Sequence, residues 1–589
     1  MTRSLLTLLL LALPLTARGQ EACPDGTVTN IFVDNRSIYD LDEIEGVPFA
    51  WVFRWSNRLH MRTRSQFIRR ELLFTTGSCF DPFRLQDSER ILRRYSFISR
   101  ADVFGIRQPD GDWHVIVDTQ DEWTTKVDVG VALDSKLEFR KLELAEENFL
   151  GRGMVVGAFV RETDAARLVG GRLFTPRLFN SRLDGNLTGG RTRIGTVVEQ
   201  EFFWPFVGEV GRVAARQFYR RAEDYFTYSV GSRDEPTHVL VPIDEERIEV
   251  TFAARVGTPG NLTVFGLGVS RDRLEFPDFP GSVRVARNND FSNTDPAPDE
   301  LASAVTGQTR YASGTRVNFL LGQRNISFVR REGLDALRGV QDIEVGTDMS
   351  LTLGRSLGVL ASEGRPDDLY TRFRLYAAGA SSPFVVVSNV GIEGRQIFSG
   401  AAVEDGWRDV VAELDLLAYW QPGFWPRHTF FGRVSGAGGW QMDQPFQLTL
   451  GGATGVRGFH DEDFPGGRRV VFSAEDRIFV GWPFPDLFDL GATFFADVGR
   501  IWTGDAPFGE DSGWRGTVGA GLRVGFPAGT RSVLRIDAGL PLAAGAGLSD
   551  IVLRISVGDL IGLAGGFQDR QLQRSQRVTV GPDRFTPLR

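Results

Sequence analysis

Few side chains in this sequence belong to the types that do covalent or metal chemistry. Its five histidines, His60, His114, His238, His428 and His460, are scattered, and no two stand at metal-ligand spacing on one element. No Gly-x-Ser-x-Gly elbow marks a serine nucleophile. Glu413, Asp415 and Asp537 could pair as acid and base, but among so many arginines a structural charge ladder is the expected role. The only thiols are Cys23 and Cys79. The most informative stretch is Gly451-Gly452-Ala453-Thr454-Gly455-Val456-Arg457-Gly458-Phe459, a glycine-rich loop carrying one guanidinium. An arginine fork binds two acceptors with fixed geometry and stays ionised when partly dehydrated. The chemistry open to Arg457, between Val456 and Gly458-Phe459, is therefore anchoring to paired acceptors. No catalytic residue, metal or cofactor is expected, so the protein reads as a non-enzyme.

The elements that would position such a loop are strands. In Val410 to Trp420 the even positions Val410, Ala412, Leu414, Leu416, Ala418 and Trp420 are apolar, while Asp409, Glu413 and Asp415 occupy the other face. Leu534 to Leu540 and Ile551 to Gly558 alternate in the same way. One apolar and one charged face, repeated in segments of about ten residues, is the signature of strands with lipid outside and a polar lumen inside. A soluble sandwich also alternates, but its solvated face usually carries Ser and Thr rather than full charges. Composition agrees: 68 Gly and 45 Phe suit closed sheets, where glycine relieves crowding and rings sit at membrane interfaces. A net charge of −8 with no basic run argues against a nucleic-acid partner. All basic residues but Lys126, Lys136 and Lys141 are arginine, which reflects composition bias rather than chemistry.

Arg3, the apolar run Leu5 to Leu15 and the small-residue pattern Ala17-Arg18-Gly19 predict a signal peptide over residues 1–19. That run is too short to span a bilayer as a helix. Gln20-Glu21-Ala22 lacks the residues of a lipid-attachment signal, so Cys23 is expected as a plain thiol. An exported chain with two thiols in one small domain predicts a Cys23–Cys79 disulfide.

Residues 20–124 read as a small α+β periplasmic domain. The pattern gives a strand at Asn30 to Val33, a helix at Ser65 to Leu73 and a second at Leu85 to Tyr95, with Asp81 or Asp87 available as its cap. Two strands follow, Arg100 to Arg107 and Trp113 to Thr119, joined at Pro109-Asp110-Gly111. Residues 125–564 read as a transmembrane antiparallel β-barrel of about sixteen strands, the first near Val127 to Ala132 and the last at Ile551 to Gly558. Asp272 to Gln308 is the most evident extracellular loop. A polar tail, 565–589, is expected on the periplasmic side. The fold class is thus mainly β, a barrel preceded by one α+β domain.

The loop Gly451 to Phe459 resembles the hallmark loop of the BamA/TamA-type outer-membrane assembly and translocation family, part of the bacterial surface antigen superfamily. Asn148-Phe149-Leu150-Gly151-Arg152-Gly153 resembles that family's second-strand signature. Ser473-Ala474-Glu475 and Phe495-Ala496-Asp497-Val498-Gly499 resemble its partner strands, and Asn30 to Thr119 resembles one polypeptide-transport-associated (POTRA) domain. The resemblance implies that the loop folds into the lumen and that its arginine pairs with wall carboxylates. Alternation places Glu475 with Ser473 and Arg477, and Asp497 opposite Ala492, Phe494, Ala496 and Val498, so both should face the lumen as acceptors for Arg457. The sequence departs from the family in having room for one such domain. Its stretch 34–64 is also long and rich in aromatics, Phe49, Trp51, Phe53 and Trp55, which suggests an insertion or a client-facing surface.

The resemblance implies an integral outer-membrane protein that assembles or translocates unfolded outer-membrane or secreted client polypeptides. Its partners would be those clients and outer-membrane lipid, with accessory periplasmic proteins left open. The alternatives are a passive channel or surface antigen that keeps the scaffold, and an outer-membrane enzyme working from the lumen.

Overall fold

In the N-terminal domain three strands and three helices form in the order β1 (Val28–Arg36), α1 (Ala50–Leu59), α2 (Ser65–Glu71), α3 (Pro82–Arg93), β2 (Ile98–Arg107) and β3 (Trp113–Asp121). The computed structural model describes residues 23–39, 50–133, 137–163, 166–231, 237–287, 290–357, 367–399, 406–452, 455–481, 488–526, 528–530, 533–543, 545–558, 570–575 and 580–585. The signal segment 1–19, Phe49 and Lys136 lie outside these.

Asp81 starts α3: its carboxylate accepts from the amides of Phe83 and Arg84, and Pro82 occupies the first turn, where its missing N–H costs nothing. The helical spacing then buries Leu85, Ile91 and Leu92, as it buries Phe67 and Ile68 on α2. These close over the sheet, ordered β1-β3-β2, with β1 and β3 parallel. Each fully buried aliphatic or aromatic side chain contributes about 1.5–3 kcal/mol. Cys23 and Cys79 form a disulfide, Cα to Cα 5.1 Å, which ties the entry of the chain to the α2–α3 connection. The stretch 34–64 supplies α1, whose Phe53 is buried against Tyr39 while Trp51 and Trp55 stand exposed.

Beyond Thr125 the chain forms one closed antiparallel sheet. Among the described residues it contains twenty-two strands, of which Arg284–Arg287 and Asp295–Pro296 are short and sit only on the rim; the other twenty make the wall. The barrel is as expected, but its wall has more strands than the about sixteen read from the sequence. The reason is tight turns: Thr237–Thr258 and Asn261–Glu275, for example, are joined by a two-residue turn in which Gly260 takes φ +81°. Among the described residues the last strand, Val552–Gly558, meets the first, Thr125–Leu133, along Leu553–Leu133, Arg554–Ala132 and Ile555–Val131. The apolar face points outward, with Phe252, Phe265, Phe319, Leu414, Phe472 and Phe494 exposed. The charged face is buried in the lumen, as in Arg316 against Asp272 and Asp368. Asp272 therefore lies in a strand, and the long loop begins only after Glu275.

The N-terminal domain sits across one mouth of the ring. Arg177 bonds Glu71 at 2.8 Å, the Glu209 amide donates to Asp87 at 2.8 Å, Arg93 bridges to Asp342 at 2.9 and 3.0 Å, and Thr530 bonds Glu122. These attachments are spread around the rim, which fixes the domain over the opening.

The tail was expected outside the ring, but its described parts, Arg570–Ser575 and residues 580–585, lie within the lumen. Its short helix Arg570–Ser575 lies inside the lumen, with Leu572 buried beside the Arg457 loop and the Ser575 hydroxyl donating to the Pro445 carbonyl at 2.8 Å. Residues 580–585 lie lower in the lumen, against the turn that carries Phe206. Polarity suggested solvent, but the polar groups are met instead by the charged lumen wall.

Candidate functional site: the lumen loop and the barrel seam

Two neighbouring strands, Arg468–Phe479 and Asp489–Trp502, pair so that Ser473 opposes Asp497. Alternation turns Glu475, Arg477, Phe495 and Asp497 inward and buries them, while Phe472 and Phe494 face outward. The connection 441–467 from the preceding strand His428–Trp440 folds back onto this inner surface. Gly452, at φ +100°, allows the turn in which the Gly455 amide donates to the Gly452 carbonyl. The Val456 amide then donates to the Leu450 carbonyl at 2.9 Å. Ala453 and Thr454 lie outside the described residues.

Arg457 sits where this turn meets the wall. Its Nε and Nη2 donate to the two oxygens of Asp497 at 2.7 and 2.8 Å, and Nη1 donates to Glu475 at 2.6 Å. Its own amide donates to Asp497 at 3.2 Å. The guanidinium lies 3.7 Å over the Phe495 ring, a cation–π contact on its remaining face. Gly458 is required by closeness: a Cβ there would stand 2.3 Å from the Thr517 hydroxyl. Phe459 and Val456 are buried with Leu450 and Ile501, so the loop is held by an apolar plug and a charged fork together. Glu475 also accepts from Arg477 at 2.7 Å and Arg523 at 2.9 Å, and Arg477 reaches Asp335 on the inward-folded turn after Ala312–Glu332.

The loop is also bonded to the last strand. Arg554 donates from Nη2 to the Phe459 carbonyl at 2.6 Å, from Nε to the Arg457 carbonyl at 3.2 Å and from Nη1 to Asp461 at 2.7 Å. Arg554 is the middle of the three residues of the last strand that pair across the seam among the described residues. One side chain thus joins the loop to the seam. The sequence assigned no role to Arg554 or to Phe495 of the partner-strand motif; an arginine at the centre of the final alternating strand was the available signal.

The second motif is a joint. The Asn148 side chain accepts from the Gly153 amide at 2.8 Å and donates to the Thr63 hydroxyl at 2.7 Å. Gly151, at φ +66°, lets the Arg64 amide reach its carbonyl at 2.9 Å, and a Cβ there would lie 2.4 Å from the Arg62 carbonyl. Asn148 to Gly153 fastens the second wall strand to the N-terminal domain.

The acid–base alternative meets arginines. Asp415 bonds Arg433 at 2.7 Å and Glu413 lies 3.7 Å from Arg374, a ladder of salt bridges along the wall. His60 bonds Asp121, His238 bonds Glu462 and His428 bonds Asp476. Among the described residues no three His, Cys, Asp or Glu side chains gather as a metal site.

No family model matches this chain, and no curated protein matches it. Solved structures with a similar course of chain include BamA from Haemophilus ducreyi lacking POTRA domains 1-3, 14% identical, covering 90% of this chain and 85% of that one at a TM-score of 0.34. CdiB from Acinetobacter baumannii is 12% identical and covers 90% and 73% at 0.37, and CdiB from Escherichia coli is 13% identical and covers 93% of each chain at 0.35. Likenesses this distant carry no function by themselves; what the chain exhibits directly is a closed barrel with an outward apolar belt, a domain across one mouth and a loop bolted to both wall and seam.

Proposed function

We propose that this protein is an integral outer-membrane barrel, with its N-terminal domain in the periplasm, that inserts or translocates client polypeptides by opening at the seam between its first and last strands. The observation that carries this reading is the combination at the seam. Among the described residues closure runs through Leu553–Leu133, Arg554–Ala132 and Ile555–Val131, and the side chain of Arg554 holds the Arg457 loop. A closure whose state is tied to a lumen loop is what lateral release of a chain requires. A closed ring otherwise has no free edge to offer. The exposed apolar belt supports lipid as its surroundings.

Client capture would occur by strand addition to the domain's sheet. The exposed Phe104 and Ile106 of the edge strand β2 support that surface. In this reading the protein works without catalysis or cofactor. A lumen filled by loop, tail and turn argues against a channel that stands open. Depleting the protein and measuring the outer-membrane and secreted proteomes tests the function. Loss of several unrelated barrels means assembly, loss of one secreted substrate means dedicated translocation, and an unchanged proteome refutes both. A cysteine pair at Leu553 and Leu133 that locks the seam should reproduce the depletion phenotype until it is reduced.

A further inference from the structure

Residues 580–585 are received by the lumen wall in a way that differs from ordinary filling. The Phe585 ring is buried among Phe206, Val264, Leu320 and Tyr370. Its carbonyl accepts from the Phe206 amide at 3.1 Å. Two residues back, the Asp583 carboxylate accepts from Arg372 Nη2 at 3.4 Å and Arg374 Nη1 at 3.3 Å. The Val580 carbonyl accepts from the Thr352 hydroxyl at 3.3 Å. Arg372 is buried, and its Nη1 has no hydrogen-bond partner among the described residues, so the site holds a donor beyond those that residues 580–585 use. The wall therefore offers an aromatic pocket, a pair of guanidinium groups at a fixed offset from it, and two donors aimed at main-chain carbonyls. Main-chain bonds that tolerate any sequence, with side-chain pockets that select, are how a protein receives a peptide, here a short segment whose residues 582–585 form one 3-10 turn.

We propose that this part of the wall is a peptide-binding site, filled in cis by residues 580–585, which accepts in trans a polypeptide segment carrying a carboxylate two residues before an aromatic ring. The inference deepens the client-handling function proposed above and rests on it only for the source of the incoming segment. The site is on the wall strands Val213–Val230 to Asp367–Ser381, away from Arg457 and the seam. Displacement of the tail also bears on the loop, because helix Arg570–Ser575 is bonded to it through Gln571 and Thr449 as well as through Ser575 and Pro445.

The test uses the purified full chain in detergent and a fluorescent hexapeptide with the sequence of residues 580–585. A tethered segment competes at an effective concentration on the order of millimolar, so the unaltered protein should bind the free peptide weakly. The full chain with Phe585→Ala should bind it at least about tenfold more tightly. Peptides with Asp583→Asn or Phe585→Ala, and protein with Arg372→Gln and Arg374→Gln added, should lose that binding. Heat-modifiable migration of each variant checks that the barrel is intact. A second measurement needs no variant: excess peptide added to the unaltered chain should speed tryptic cleavage after Arg574 and Arg584, read by mass spectrometry. Equal binding by the altered and unaltered chains, equal binding of the substituted peptides, or cleavage rates indifferent to peptide would each overturn the proposal. None of these readouts depends on the depletion phenotype, so failure of the site and failure of the client-handling function are distinguishable.

Discussion

Replacing Arg457 with alanine should release the lumen loop without unfolding the barrel. The substitution removes three charge-assisted bonds and the stack on Phe495. Its consequences for the two acceptors differ. Glu475 keeps Arg477 and Arg523, whereas the fully buried side chain of Asp497 loses its guanidinium and retains the amide of residue 457 at 3.2 Å. Stranding a buried carboxylate costs about 3–5 kcal/mol, less where water enters the lumen to solvate it. At about 1.4 kcal/mol per factor of ten, the local opening of residues 456–464 should rise by roughly two to three and a half orders of magnitude. Chymotryptic cleavage at Phe459 in outer-membrane vesicles reads that opening directly. Arg457→Lys should fall between, because an ammonium cannot span both oxygens of Asp497 while reaching Glu475. Asp497→Asn added to Arg457→Ala should restore part of the protection, since the stranded charge is then gone. If Arg457→Ala leaves cleavage at the native rate, or Asp497→Asn gives no relief, the anchoring argument is wrong.

Arg554→Gln should weaken the loop and the seam together, seen as faster cleavage at Phe459 and a lower temperature for heat-modified migration; a change in one without the other would break the coupling. Reduction, or Cys23→Ser, should destabilise the N-terminal domain by about 4 kcal/mol for a separation of 56 residues, measured by denaturant unfolding of the full chain with thiol labelling as the check. Burial raises the Asp87 carboxyl above its ordinary range in spite of Arg90 beside it. The folded joint therefore holds its proton to higher pH than the unfolded chain does. Its stability should be greatest below the ordinary aspartate range near pH 4 and fall as pH rises through the raised value, and Asp87→Asn should flatten that dependence in hydrogen exchange of α3.

The features legible in the sequence are those that repeat locally. A period of two in Val410 to Trp420 is enough to separate a lipid face from a lumen face, because successive strand side chains point to opposite sides whatever the strand's neighbours. Helical spacing with Asp81 and Pro82 before it gave α3 within a few residues, and alternation alone turned Glu475 and Asp497 to one side of the wall. The loop's glycines and Arg457 signalled a tight, charged turn.

What remained for tertiary structure was the meeting of distant segments. The strand number depends on turns of two residues such as 259–260, which leave almost no interruption in the pattern. Alternation puts Phe495 on the same face as Asp497, but only the approach of Arg457 gives the ring a partner. Arg554 is one of many arginines on polar strand faces; its role exists because the loop returns to within 2.6 Å of it. The tail has no period at all, so nothing local in it distinguishes solvent from a charged lumen. Its place was decided by Arg372, Arg374 and the pocket around Phe585, groups between about 200 and 380 residues away along the chain that only the closed ring brings together.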